Sequence, residues 1–208
     1  LRLFHHRPDF HMAIDTVALR SPDLSDEQVK AIENSCMRRQ GFDLATGDIK
    51  YELTTASLKG TWDSQVSLQI KREVWVYDGG TPRTLTCPPH LRVEGSVHKA
   101  MRGHNVYAGP VNFQESIKWF ISDLEERLSH ELPPYNDWQI RRVDWAEVFT
   151  LSSSAITQYF RGLRSCTFPR RKVRKYGLET IFCPGSTTTV KIYHKGPEFK
   201  VHDYKKLK

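Results

Sequence analysis

Apolar positions recur along this chain at two periods, and the switches between them outline its elements. MAIDTVAL at 12–19 reads as a short apolar strand, ended by Ser21-Pro22-Asp23. Ser25 with Gln28 three residues on forms a capping box, and Val29, Ile32 and Cys36 follow at helical spacing. That pattern predicts a helix to about Arg39, stopped by Gly41. Residues 48–58 alternate with Ile49, Tyr51 and Leu53 on one face, and 66–77 alternate through Val66, Leu68, Ile70, Val74 and Val76. These two stretches read as an antiparallel hairpin, followed by a turn at Asp78-Gly79-Gly80. Pro82, Pro88 and Pro89 predict an irregular stretch before a further strand over about 90–99. After a Gly-bounded loop at 103–110, Asn112 caps a helix whose apolar stripe is Ile117, Phe120, Ile121, Leu124 and Leu128. Pro133-Pro134 closes that region. Residues 139–151 alternate as a strand, with Val143, Trp145, Glu147 and Phe149 on one face and Arg142, Asp144, Ala146 and Val148 on the other. Ser153 or Ser154 caps a helix carrying Ile156, Phe160 and Leu163. In the last strand, Val190 and Ile192 share one face, and Thr189, Lys191 and Tyr193 share the other.

The resulting order, β-α-β-β-β-α-β-α-β, predicts an α+β fold: a largely antiparallel sheet with helices packed on one face. No repeat, low-complexity tract or linker divides it, so residues 12–208 read as a single domain. The free face of such a sheet is a natural floor for a single strand of nucleic acid.

Charge sharpens that expectation. The 208 residues carry a net charge of +7, with a pI near 9.3. The balance favours an anionic partner, nucleic acid before acidic membrane. Cys36, Cys87, Cys166 and Cys183 stand far apart, which argues against a zinc ribbon or a disulfide scaffold and for a reducing compartment. No apolar run approaches the roughly 18 residues of a membrane span. Residues 1–11 hold His5, His6 and His11 ahead of Met12, so they read as vector-derived, with Met12 the native start. The end at Lys205-Lys206-Leu207-Lys208 suggests a truncated C-terminus.

Four places carry candidate chemistry. Arg161, Arg164, Arg170, Arg171, Lys172, Arg174 and Lys175 form a run without an acid, and Phe168 and Tyr176 interleave with it. That suits phosphate contacts and base stacking, against the alternative of a solvated loop. His104 lies in the Gly-flanked loop, as a metal ligand or a loop hydrogen-bonder. Glu94 and Asp144 are acids inside apolar strands, suited to Mg²⁺ or Mn²⁺ or to salt bridges with Arg92 or Arg142. Tyr193 lies near Lys191, Lys195, Glu198 and His202. A phenol is a weak nucleophile at neutral pH, but adjacent cations favour its phenolate. The competing reading is an amphipathic strand with an ordinary half-buried tyrosine.

Three segments together resemble the gene II/X family of replication proteins from filamentous phages and related plasmids. Glu94 followed by Gly103-His104-Asn105-Val106-Tyr107 is similar to that family's strand glutamate and GHNV-aromatic loop. Arg142-Val143-Asp144 is similar to its R-[IV]-D strand, and Tyr193-His194-Lys195-Gly196-Pro197-Glu198-Phe199 to its Y-x-K-x-x-E segment. The resemblance spans about Met12 to Lys208. It implies a rolling-circle initiator of the HUH/RRM-like nuclease class, a site-specific DNA nickase and ligase working through a 5′-phosphotyrosine intermediate in the cytoplasm of a bacterial host. It implies Tyr193 as nucleophile, with Lys195 or Lys191 beside it. Glu94, His104, Asp144 and Glu198 would be ligands of Mg²⁺ or Mn²⁺. Origin DNA would lie on the run 161–175, and a host helicase would be a partner. Family members are longer than this chain. It also lacks a His-hydrophobic-His triplet, for which His90-Leu91-Arg92 is a poor substitute. The competing functions are a non-catalytic single-stranded DNA-binding or repressor protein, and a transposase or mobilisation nuclease of the same chemistry.

Overall fold

The computed structural model describes residues 12–59, 65–105, 109–169, 171–177 and 179–197, and the chain divides into two compact units, 1–147 and 148–208. The first unit is built on a six-stranded sheet. Its strands are β1 (Ala13–Asp23), β2 (Met37–Phe42), β3 (Ile49–Lys59), β4 (Gln65–Asp78), β5 (Thr81–Ser96) and β6 (Gln139–Ala146). They lie in the order β2-β3-β4-β5-β1-β6, and every pairing is antiparallel. Helices α1 (Asp26–Glu33), α2 (Val97–Arg102) and α3 (Phe113–Leu128) complete the unit.

Alternation assigns the two faces of the sheet. Val17, Leu19, Ala56, Val66, Leu68, Ile70, Leu91 and Val93 turn to one side and join Val29 and Ile32 of α1 and the whole stripe of α3 in one core. Gly95 belongs to that face. A Cβ there would lie 3.1 Å from Val66 and 3.3 Å from the Phe120 ring, so its bare Cα is what lets α3 lie close on β5. The opposite face is polar. Ser57, Ser67, Glu94, Ala18 and Arg142 follow one another in register across β3, β4, β5, β1 and β6.

The caps expected from sequence hold α1 and α3. The Ser25–Gln28 box is closed from both sides, and Asn112 accepts from the Glu115 amide. The Gly79-Gly80 turn joining β4 to β5 has φ of 58° and 87°, the backbone that a tight two-residue hairpin requires. An α+β architecture with helices on one face of an antiparallel sheet is therefore present.

Several boundaries differ from expectation. The first helix stops at Glu33 rather than near Arg39, because residues 37–42 pair with β3 and the ladder outweighs a helical period carried by few residues. The three prolines do not interrupt β5. It runs unbroken from Thr81, and the ladder to β4 absorbs Pro88 and Pro89 where the register shifts between Lys71 and Glu73. The strand expected over 90–99 ends at Ser96, whose hydroxyl accepts from the Lys99 amide and opens α2. The strand expected over 139–151 ends at Ala146, the last residue to pair with β1.

The second unit holds α4 (Ser153–Ser165), capped by Ser152 rather than Ser153 or Ser154, and a three-stranded antiparallel sheet. Its strands are β7 (Arg174–Tyr176), β8 (Thr180–Cys183) and β9 (Val190–Tyr193). β7 and β8 were not expected; they are three and four residues long, too short for a period to show. Ile181 and Cys183 are fully buried, and Arg164 ties α4 to the turn through the Gly177 carbonyl. Among the described residues, no helix is long and apolar enough to cross a membrane.

Candidate active site and nucleic-acid interface

The Tyr193 strand folds as its alternation predicts. Ile192 pairs with buried Ile181, and Val190 with buried Cys183, so these four side chains form the inner face of the small sheet. Tyr193 and Lys191 are thereby turned outward, and Tyr193 is 39% exposed. The Lys191 Nζ stands 4.8 Å from the centroid of the Tyr193 ring and the Lys195 Nζ 5.9 Å from it. Two ammonium groups over one ring are attracted to its π face. The rung after Tyr193 is fixed too. The His194 amide donates to the Glu179 carbonyl at 2.9 Å, and His194 Nδ1 lies 3.7 Å from Glu179 Oε1. The turn carrying Lys195 starts there, and Gly196 lies so close that a Cβ would sit 2.9 Å from His194 Nε2.

Register extends this outer face across all three strands. Arg174, Phe182 and Lys191 form one row, and Tyr176, Thr180 and Tyr193 form the next. The Tyr176 and Phe182 rings are 6.5 Å apart at 55°. Two of the seven residues of the expected basic run lie on the sheet that holds the tyrosine, and Arg174 shares the outer face with it. Arg174 and Lys175 are on β7, Arg171 and Lys172 precede it, and Arg161 and Arg164 are on α4; Arg170 lies outside the described residues. Phe182 was missed, because the strand that aims it outward was missed.

In the first unit Glu94 and Asp144 meet on the polar face through Arg142. Its Nε and Nη2 donate to the two Asp144 oxygens and its Nη1 to Glu94 Oε1, all at 2.9 Å. Arg92 reaches the other Glu94 oxygen at 3.4 Å. The bond to Asp144, seconded by Glu94, holds the Arg142 guanidinium above its ordinary pKa. Both salt bridges considered from the sequence are therefore formed. Beside them Ser67, Gln69, Arg92 and Glu94 line a shallow open depression. The His104 ring packs edgewise to that of His98, with centroids 6.3 Å apart. Among the described residues, no three His, Cys, Asp or Glu side chains gather to hold a metal ion. Glu198 and the His202 and Tyr204 positions lie outside the described residues, as do Val106 and Tyr107 of the loop motif.

A phage family described as the N-terminal region of a replication-associated protein, the gene 2 protein, matches residues 13–208. The chain belongs to this phage replication protein family. Membership accounts for the basic charge, since a replication protein of this family works on DNA. No curated protein and no solved structure matches the chain.

Proposed function

We propose that this member of the phage replication protein family is a rolling-circle replication initiator that nicks and rejoins one strand of a phage or plasmid origin, with Tyr193 as nucleophile. The observation that carries the reading is the outward Tyr193 ring with the ammonium groups of Lys191 and Lys195 over it, 4.8 and 5.9 Å from its centroid. The Tyr193 oxygen forms a bond to phosphorus as the bond from phosphorus to the 3′ oxygen of the preceding nucleotide breaks. The phenol proton passes to solvent water, and the departing 3′ oxygen takes one from solvent to leave as a free hydroxyl. The 5′ phosphate stays on the tyrosine, so the bond energy is kept and rejoining needs no ATP. Lys191 and Lys195 offset the charge that builds on the phosphate oxygens.

Glu94 and Asp144 are hard oxygen donors of the kind Mg²⁺ takes, and an ion there would displace the Arg142 guanidinium that now engages both. Glu94 and Asp144 already converge on one cationic group, the Arg142 guanidinium, and Mg²⁺ is commonly held by one or two carboxylates together with substrate phosphate. Glu94 and Asp144 would hold Mg²⁺ or Mn²⁺, with His104 as a further donor. Such an ion, when bound, polarises a phosphodiester. Origin DNA lies along Arg161, Arg164, Arg170, Arg171, Lys172, Arg174 and Lys175. An HUH-like catalytic domain, a host helicase as partner and action in the bacterial cytoplasm belong to the same reading.

The deciding experiment incubates the protein with a labelled origin oligonucleotide and Mn²⁺, then runs a denaturing gel. A denaturant-resistant shifted band is expected from the native chain and none from Tyr193→Phe, which keeps its DNA affinity. An adduct persisting in Tyr193→Phe removes Tyr193 from the role. The aromatic and cationic outer face of the small sheet equally suits a non-catalytic single-strand-binding protein, for which no variant and no metal yields the band.

A further inference from the structure

The outer face of the small sheet holds more than a nucleophile. Tyr176, 55% exposed, and half-buried Phe182 stand on the two strands that precede β9. Phe182 is in register with Lys191 on one side and Arg174 on the other, while Tyr176 shares its row with Tyr193 through Thr180. Neighbouring strands are about 4.8 Å apart, so Tyr176 lies roughly 10 Å from Tyr193 across the sheet, with Phe182 on the diagonal between them. Two aromatic rings thus share the outer face of the sheet with Arg174, Lys191 and the candidate nucleophile.

Hydrophobic burial does not explain the pair. The inner face of this sheet is already filled by Ile181, Cys183, Val190 and Ile192. Residues 148–208 hold 13 Lys and Arg against three Asp and Glu, a net charge of +10 in a chain of +7. A ring pair set in so cationic a surface is suited to a ligand with both π faces and phosphates, and a single DNA strand offers both.

We propose that Tyr176 and Phe182 form a stacking seat for an unpaired base of the strand whose phosphate Tyr193 attacks, with Arg174 and Lys191 on the flanking phosphates. This rests on the nicking reading only for the role of Tyr193. The seat makes the interface a reader of single strand: a base still paired in duplex has its faces covered by its neighbours and cannot stack on the rings.

The test uses a single-stranded origin oligonucleotide carrying 2-aminopurine or an abasic site at successive positions around the nick, with native protein, Tyr176→Leu and Phe182→Leu. Tyr176 is exposed, so its variant folds irrespective of what becomes of Phe182→Leu. One position should show 2-aminopurine fluorescence quenched by native protein, and the quench should be lost in either variant. Single-strand affinity should fall by about fivefold to a hundredfold in each variant, in line with the stacking contribution of one base. The salt dependence should be unchanged, because no phosphate contact is removed. An abasic site at that position should bind native protein and variants alike. Unaltered affinity in Tyr176→Leu, or an equal loss on the abasic strand, overturns the seat while leaving adduct formation intact. An adduct formed by Tyr193→Phe overturns the nicking reading while the base quench persists.

Discussion

At the scale of single residues, the fate of a side chain was legible where alternation alone decides it. Tyr193 points outward because Val190 and Ile192 must point inward, and three consecutive alternating positions suffice to say so. Phe182 faces the same way for the same reason, but the four residues of its strand gave no sustained period. His90 is another residue whose state depends on the fold. It was expected to open the strand over 90–99; it is 5% exposed, with Nδ1 at 3.2 Å from the Pro88 carbonyl and 3.8 Å from Cys87 Sγ. Burial first, and the charges of Arg20 and Lys71 after it, hold its pKa below the ordinary 6.5, against the pull of the Pro88 carbonyl and Asp23. The unfolded chain then binds a proton more readily than the folded one. The stability due to a neutral His90 is complete above pH 6.5, declines as the pH falls below that value, and levels off once the folded form is protonated too. Urea unfolding should show a midpoint that drops between pH 7 and 5, no more steeply than about 1.4 kcal/mol per pH unit. His90→Gln should flatten this slope, and an unchanged slope in the variant would assign it to other groups.

At the scale of elements, what the sequence concealed was long-range pairing. The strand β2 is sequence-local to α1 and looked like its continuation. What makes it a strand is β3, whose partner residues lie 7 to 18 positions further on. The junction is held by one carboxylate. Glu33, at the end of α1, accepts from Arg72 of β4 at 2.7 Å and from Arg38 of β2 at 3.4 Å. The Arg72 bond is the main reason its pKa lies below 4.5, against the pull of burial. A depressed carboxylate pKa contributes stability above the unfolded value and loses it as the pH falls through the folded one. Glu33→Gln should therefore cost about 1 kcal/mol at pH 7, a modest figure because both guanidinium partners are partly exposed. The difference from native protein should shrink as the pH falls below 4.5 in the same urea titration. Packing of α3 on the sheet offers a sharper test. Gly95→Ala should lower the thermal midpoint, at a cost of about 1–3 kcal/mol, since the new methyl meets Val66 at 3.1 Å and the Phe120 ring at 3.3 Å. A native midpoint would show that α3 has room to yield.

Over the whole molecule the informative quantity is how charge is divided, and this was available from the sequence once the division into units was known. Residues 1–147 carry 18 Lys and Arg against 21 Asp and Glu, a net charge of −3, so the excess of cations lies entirely in residues 148–208. The carboxylates Glu94 and Asp144 belong to the acidic unit, and the phenol with its flanking lysines belongs to the basic one. Read alone, the first 147 residues would give no sign of a polyanionic partner. The division of charge also predicts where the electrostatic part of DNA binding lies. For single strands, log affinity falls against log salt with a slope of about −0.7 per neutralised phosphate. Replacing Arg174 and Lys175 together with Gln should make the slope shallower by about 1.4 and weaken all sequences alike. Replacing Arg92, on the polar face of the acidic unit and already paired with Glu94 at 3.4 Å, should change it much less. Fluorescence anisotropy of a labelled oligonucleotide from about 100 to 300 mM salt reads both slopes, a range over which the Debye length stays at about 10 Å or below and only close contacts count. Equal slopes for the two variants would mean that the polar face of the large sheet holds the DNA as firmly as the basic unit does.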